Sequence, residues 1–212
     1  QDAYGTPALV KAKDKTELVL AVPGEIWSFD AKKGNITWYT YTNVGSGRGN
    51  VSPSTITGGN ALYVFGGRPG SGVAVKLGGK GEVKESSQLW TSRISPYVAT
   101  PVYHEGHLYW MDRSGYAVCL NASTGREAFR ERLKNSGRST PKFYASPVVV
   151  DGKIISISRN AGAFVLEAKP KFKQLAQNTF ASDRSVFNAS PAVSNNRLFL
   201  RSDTYLYCVA GE

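Results

Sequence analysis

The amino-acid sequence predicts an all-β chain, a β-propeller of four-stranded antiparallel blades, on two observations. A small residue, then Ser or Thr, then Pro recurs every 44–48 residues, as Gly5-Thr6-Pro7, Val51-Ser52-Pro53, Ala99-Thr100-Pro101, Ala145-Ser146-Pro147 and Ala189-Ser190-Pro191. A period of that length, filled with short strands, is the signature of propeller blades. Within each period, short apolar runs are separated by turn residues, most clearly at Asp151-Gly152, a strong hairpin signal. About five repeats follow, approximately 4–43, 51–94, 98–133, 144–180 and 188–212, forming a single unit over 1–212.

Taken in order, repeat one has strand A at 7–10, a charged turn at 11–16, strand B at 17–22 and strand C at 25–30. Period two puts Trp27 and Phe29 on one face of that strand. A turn at 31–34 leads to strand D at 36–40, with Trp38, and 45–50 links to the next blade. Repeat two has strands at 53–57, 61–65 and 73–77, an enlarged C–D loop at 78–87, and a D strand at 88–91 carrying Trp90. Repeat three, 98–133, is the most regular. Repeat four has strands at 147–150, 154–158 and 163–168 and a basic C–D turn at 169–173. Repeat five has strands at 191–193, 198–200 and 205–209 and stops at Glu212, where a C–D turn is due. Four complete blades and three strands of a fifth predict a C-terminal segment of a larger ring. An open ring would expose blade faces and a strand edge, and self-association through them is expected.

Composition narrows the chemistry only broadly. The 212 residues carry 26 Lys+Arg against 16 Asp+Glu, a net charge of +10. That favours anionic partners and selects none of nucleic acid, anionic polysaccharide, acidic protein or membrane surface. Hydrophobic residues at 41% and charged residues at 20% argue for a folded chain. No apolar run approaches the ~20 residues of a transmembrane helix. No leader precedes Gln1 and there is no initiator Met, so a processed or excised segment is expected. Cys119 and Cys208 sit at matching points of repeats three and five, too far apart for the ~5.5 Å Cα–Cα span of a disulfide. Both are expected to be reduced and buried.

Ala31-Lys32-Lys33-Gly34-Asn35-Ile36-Thr37-Trp38 resembles the A-x-x-G-x-x-x-W signature of pyrroloquinoline-quinone (PQQ)-type propeller repeats, and Asn121-Ala122-Ser123-Thr124-Gly125 continues to Phe129 at the same offset. Gly permits the tight turn and the aromatic residue packs between blades. With the Ser/Thr-Pro openings the resemblance covers essentially the whole chain. It is to PQQ-binding-like repeat proteins, a family that includes BamB-like and quinoprotein members. The resemblance implies a ring of seven or eight blades and a bacterial, secreted protein in the periplasm or outside the cell. It does not carry the cofactor with it. Family dehydrogenases hold PQQ on a calcium ion through Glu, Asn and Asp ligands, many under a disulfide between adjacent cysteines. This chain has no adjacent cysteines and no acidic cluster in its A strands, so no cofactor is expected unless absent blades supply the ligands.

Up-down-up-down topology brings the D–A and B–C connections to one face. The D–A connections carry Arg48, Arg93, Arg138 and Arg184; the B–C regions carry Arg68, Arg113 and Arg159, with Arg201 at a strand end. Tyr97, Phe143, Tyr144, Phe187 and Asn188 precede the A strands, nearest the channel mouth. Arginine's planar fork suits carboxylate, sulfate or phosphate and stacks on rings, so this face is a candidate site for an anionic small molecule, a polysaccharide or a protein partner. Alternatively, the arginines tie blades together through loop carbonyls and Asp112, Asp183 or Asp203. Lysines gather on the opposite face or rim. Nucleic acid is disfavoured, because nothing specifies base readout.

Other motifs resolve structurally. His104-Glu105-Gly106-His107 aligns with the hairpin turn at Asp151-Gly152, and two histidines fall short of a zinc set. The run 45–50 lacks the helix a nucleotide loop needs, and the alternating charges of 126–132 suit an exposed outer strand. No Ser/His/Asp set or carboxylate pair assembles. The expected function is a non-catalytic binding or scaffold module. The alternatives are part of a PQQ-dependent dehydrogenase or the sensor propeller of a kinase-related signalling protein.

Overall fold

The computed structural model describes residues 2–12, 15–47, 49–67 and 70–210. It is all β apart from one short 3-10 turn at Glu85–Ser87. After β1 (Asp2–Ala3), blade one comprises β2 (Ala8–Ala12), β3 (Lys15–Val22), β4 (Glu25–Asp30) and β5 (Ile36–Tyr41). Following β6 (Asn50–Val51), blade two has β7 (Ile56–Gly58), β8 (Ala61–Gly66), β9 (Ser71–Lys76) and, beyond β10 (Gly81–Glu82), which joins the sheet of blade one, β11 (Gln88–Ser92). Blade three is β12 (Val102–His104), β13 (His107–Met111), β14 (Tyr116–Asn121) and β15 (Glu127–Arg132). Blade four is β16 (Val148–Val150), β17 (Lys153–Ser158), β18 (Gly162–Glu167) and β19 (Gln174–Asn178). The last sheet has three strands, β20 (Ala192–Ser194), β21 (Arg197–Arg201) and β22 (Leu206–Ala210).

Each blade is an antiparallel meander, and the first strands of neighbouring blades touch: β7 meets β2 and β12, and β12 meets β16. The recurring hydroxyls explain the repeat. Thr6 N–H donates to Ser54 Oγ, Ser54 N–H to Thr100 Oγ1, Thr100 N–H to Ser146 Oγ and Ser146 N–H to Ser190 Oγ, at 2.9–3.0 Å. Each hydroxyl thus satisfies a backbone donor of the preceding blade, where an unpaired N–H would be costly. In repeat two the working hydroxyl is Ser54, after Pro53. Ser52, singled out by the sequence pattern, donates to Asn50 Oδ1 instead.

Central blades bury both faces, which is why β8 is buried at every position instead of alternating. Leu108, Trp110, Val118 and Leu120 of blade three pack with Phe65, Ala74 and Trp90 of blade two. Its other face puts Tyr109, Met111, Ala117 and Cys119 against Phe143, Ile154, Phe164 and Leu166.

Three local expectations change. The turn at 11–16 is shorter, since Ala12 pairs with Lys15 across a hairpin whose tip, Lys13-Asp14, lies outside the described residues. The enlarged C–D loop of blade two is a strap: β10 runs parallel to β5, with Gly81 opposite Trp38, and Tyr39 donates to Glu82 Oε2 at 3.2 Å. The 104–107 turn is a hairpin, with Glu105 (φ 44°) and Gly106 (φ 76°) both left-handed, as in the turns at Asp151-Gly152 and Asn195-Asn196.

Both cysteines are free, but only Cys119 is buried. Cys208 is exposed because its face of the last sheet is covered by no other sheet among the described residues, whereas blade four covers Cys119. Burial pushes the Cys119 thiol up to about 12. A disulfide-exchange reagent at mild alkaline pH is therefore expected to titrate one fast thiol per native chain, removed by Cys208→Ser, and a second only on denaturation. Fast reaction at Cys119 would contradict the buried placement.

Candidate functional site

The B–C and D–A connections of blades three to five meet on one face. Arg159 N–H donates to Lys142 O at 2.8 Å, Asp203 N–H to Val186 O at 3.0 Å and Lys142 N–H to Asn160 Oδ1 at 3.1 Å. On this platform four candidate residues from two blades form a ladder. The Arg113 guanidinium lies 4.8 Å over Tyr97, Tyr97 meets Tyr144 edge-on at 5.7 Å, and the Arg159 guanidinium lies 4.4 Å over Tyr144. Guanidinium groups favour the negative ring faces, by ~0.5–2 kcal/mol. The rings hold the cations in place without neutralising them.

Among the described residues, no carboxylate forms an ion pair with Arg93, Arg113, Arg138, Arg159 or Arg184. Of the three carboxylates that could have tied them to the fold, Asp112 and Asp183 are engaged elsewhere, and Asp203 forms no ion pair among the described residues. Asp112 Oδ1 accepts the Ser114 and Tyr116 N–H groups and its Oδ2 pairs with Arg130 at 3.4 Å. Asp183 Oδ1 accepts the Ser185 N–H and hydroxyl, at 2.9 and 2.6 Å, while Oδ2 accepts the Tyr207 hydroxyl at 2.7 Å.

Beside the ladder, Arg159, Asn160, Phe180, Asp183, Arg184 and Phe187 line a cleft of about 350 Å³ between the blade-four loops and the connection to blade five. The Arg159 Nε is buried with no hydrogen-bond partner. A smaller cleft of about 200 Å³, with Tyr97 and Arg113, occupies the corresponding place between blades two and three.

The candidates divide accordingly. Arg113, Tyr97, Tyr144 and Arg159 come together, and Arg184 joins Arg159 at the larger cleft. Phe143 and Phe187 are 1% and 3% exposed and pack into the core, although Phe187 also backs the larger cleft. Phe143 packs on Phe164 at 5.6 Å and Phe187 on Phe180 at 4.9 Å. They share the repeat position of Tyr97, and a ring without a hydroxyl has no reason to stay at the surface. Arg93, Arg138 and Asn188 are exposed and make no side-chain hydrogen bond, ion pair or ring contact among the described residues. Arg48 and Arg68 lie outside the described residues.

Sequence reasoning missed a cleft of about 530 Å³ on the opposite face, where Tyr63 and Tyr103 stack at 6.0 Å near Lys76, Leu89 and His107. Burial pushes Tyr63 up to about 12. Gly58 was the available signal, since the Tyr103 ring lies where its Cβ would be. Lys15, Lys33 and Lys80 line a further cleft, of about 510 Å³, with Glu17 and Asp30.

Asp183 couples this loop to acidity. Hydrogen bonds from the Ser185 hydroxyl above all, then the Ser202 and Tyr207 hydroxyls and the Ser185 N–H, outweigh burial and hold its carboxyl well below the usual range. A depressed folded pKa stabilises the fold above the unfolded value of about 3.9, and the contribution is lost as pH falls below it. Melting temperatures measured from pH 6 downward should therefore fall below about pH 4, with a shallower decline in Asp183→Asn. Parallel declines would show that Asp183 is not the sensitive group.

A calcium-held quinone needs several free oxygen ligands, and on this face the carboxylates of Asp112 and Asp183 are committed to their own loops. Among the described residues, no group of three or more His, Cys, Asp or Glu could hold a metal ion.

Residues 80–170 match the family model described as outer membrane protein assembly factor BamB. No curated protein sequence matches the chain. Among solved structures it is similar to BamB from Moraxella catarrhalis, with a TM-score of 0.67 and 11% identity over 94% of this chain and 58% of that one. It is also similar to the quinohemoprotein alcohol dehydrogenase ADHIIG from Pseudomonas putida HK5, with a TM-score of 0.69 and 12% identity over 99% of this chain and 40% of that one. A third likeness is to a europium-containing methanol dehydrogenase, with a TM-score of 0.63 and 10% identity over 92% of this chain and 51% of that one. The chain thus spans less than two thirds of each of these structures. At these identities the likenesses show the fold: the chain is a β-propeller, and its residues 80–170 carry repeats of the PQQ-like kind.

Proposed function

We propose that this chain is a non-catalytic binding module that engages a protein partner or an anionic ligand through its Arg/Tyr face. The observation that carries this reading is the Arg113–Tyr97–Tyr144–Arg159 ladder, which holds two guanidinium groups without a carboxylate partner among the described residues. A purely structural arginine would be expected to bond a carbonyl or carboxylate of its own fold. The likeness over residues 80–170 to an assembly factor supports a protein partner, and the net charge of +10 an acidic one. On this reading the chain works in the periplasm or outside the cell and takes no cofactor. No helix among the described residues is long and apolar enough to cross a membrane.

The test uses Arg113→Ala and Arg159→Ala, with binding of a sulfated oligosaccharide and of a polyglutamate peptide measured calorimetrically beside thermal stability. Binding should weaken severalfold in each variant, and wild-type binding should weaken with added salt. Loss of stability with unchanged binding would return the arginines to a structural role. A second reading, a quinone-dependent dehydrogenase, is favoured by the likeness to ADHIIG. A bound-quinone band in the ultraviolet–visible spectrum after incubation with PQQ and Ca²⁺ would establish it in place of the first.

A further inference from the structure

We propose that the cleft lined by Arg159 and Arg184 is a docking site for a monoanionic carboxylate carried on an apolar or aromatic body. The proposal deepens the reading of the Arg/Tyr face as an anion-binding surface, and rests on it.

Three observations lead there. First, the buried Arg159 Nε is an orphan, and none of the guanidinium nitrogens has a hydrogen-bond partner among the described residues. Tyr144 fixes the guanidinium plane at 4.4 Å without using its in-plane donors. Those donors match the paired oxygens of a carboxylate, which accepts a bidentate grip. Second, Asp183, the only carboxylate lining the cleft among the described residues, is already engaged. Asp183 spends Oδ1 on Ser185 and Oδ2 on Tyr207 and pairs with neither arginine. Its charge still counts: two arginines and one aspartate leave the lining at +1. That balances a monoanion and leaves a phosphate dianion in excess. Third, the remaining wall is apolar, with Phe180, Val186 and Phe187 beside the polar groups of Asn160 and Ser185. The volume of about 350 Å³ equals roughly a dozen waters at ~30 Å³ each, room for one ring and its acid group.

The same chemistry is presented by a free aromatic acid and by the C-terminal residue of a peptide, and the probes separate them. Calorimetry would use phenylacetate, N-acetylphenylalanine, N-acetylphenylalaninamide, the tripeptide acetyl-Gly-Gly-Phe with a free C-terminus, and phenyl phosphate. The Arg Nε–H resonances would be followed in parallel. The acids should bind about tenfold or more tighter than the amide, because charge-assisted pairing is lost without the carboxylate. The Arg159 Nε–H signal should shift on binding. Arg184→Ala should weaken the acids about tenfold, whereas Lys153→Ala, an exposed residue at the far hairpin end of blade four, should leave them within about twofold. Tighter binding of the tripeptide than of phenylacetate would identify a chain end as the ligand, and equal binding a free acid. Both outcomes support the site.

Equal binding of acid and amide would overturn the proposal. So would phenyl phosphate binding more than about tenfold tighter than the acids, because the charge balance would then be wrong. If none of the acids binds while Arg113→Ala abolishes binding of the sulfated oligosaccharide, the broader reading of the face stands and this site falls. Melting temperatures of both variants check that they fold, and Arg184→Gln, which keeps a polar side chain of similar reach, replaces Arg184→Ala if the alanine variant does not.

Discussion

Trp90→Ala is expected to cost ~3–5 kcal/mol, the range for truncating a large buried aromatic side chain. Trp90 is 8% exposed and wedges blade two against blade three. Its indole N–H donates to Ala122 O at 2.8 Å, and its ring lies 5.9 Å from Tyr63 and 6.4 Å from Phe65. The floor beneath it is Gly125, where an added Cβ would sit 2.6 Å from the Trp90 ring while the backbone holds a φ of +68°. Gly125→Ala should therefore cost ~1–3 kcal/mol for overpacking, with a further ~1–2 kcal/mol for a left-handed non-glycine residue. The two effects have different dependence on Trp90. In a Trp90→Ala background the overpacking disappears and only the backbone cost remains, so the double variant should be less destabilised than the sum of the singles. Urea unfolding of the four proteins measures this directly. Strict additivity would mean that the glycine serves the turn alone and that the tryptophan does not rest on it.

That pair also shows why the fold was legible in the sequence. The Ala122-to-Gly125 turn and the aromatic residue of the preceding blade are a local pattern repeated at fixed spacing, and the Ser/Thr-Pro openings mark a hydrogen-bond relay between blades. Period, turn chemistry and docking residue all point to the same sheets, so each supports the others. What escaped was whatever depends on a neighbour in space. Cys119 and Cys208 are equivalent along the chain and differ only in what lies across the blade face. Tyr97, Phe143 and Phe187 share one repeat position, yet only the tyrosine keeps part of itself at the surface. Blade topology puts Arg113 and Arg159 in equivalent B–C connections, but their pairing with Tyr97 and Tyr144 and the diversion of Asp183 to Tyr207 need side-chain geometry. Sequence could rank the candidates no further than a shared face.

Glu17→Ala is expected to destabilise the chain by roughly 3 kcal/mol, because a buried indole donor loses its acceptor. Glu17 is 3% exposed, and its Oε2 accepts the Trp38 indole N–H at 2.9 Å and the Ser28 hydroxyl at 3.1 Å. Burying a carboxylate is costly without such partners, so its position calls for a reason, and a comparison of blades supplies one. Trp90 finds its acceptor on the next blade, at Ala122 O in a compact C–D turn. Trp38 faces instead the enlarged loop of blade two, packing near Gly79 beneath the β10 strap, and takes its acceptor from its own blade. Blade three has Phe129 at this position, with no N–H to satisfy, and His107 where blade one has Glu17. Glu17 thus compensates for the strap. It follows that Glu17→Gln, which retains an acceptor oxygen, should lose less than about 1 kcal/mol. Glu17→Ala should also cost less in a Trp38→Phe background than in the wild type, since the donor it strands is already gone. Chemical denaturation of the single and double variants reads this coupling. If Glu17→Ala costs the same with Trp or Phe at position 38, the carboxylate is held for Ser28 or for the lysine-lined cleft beside it, and the account of the strap fails.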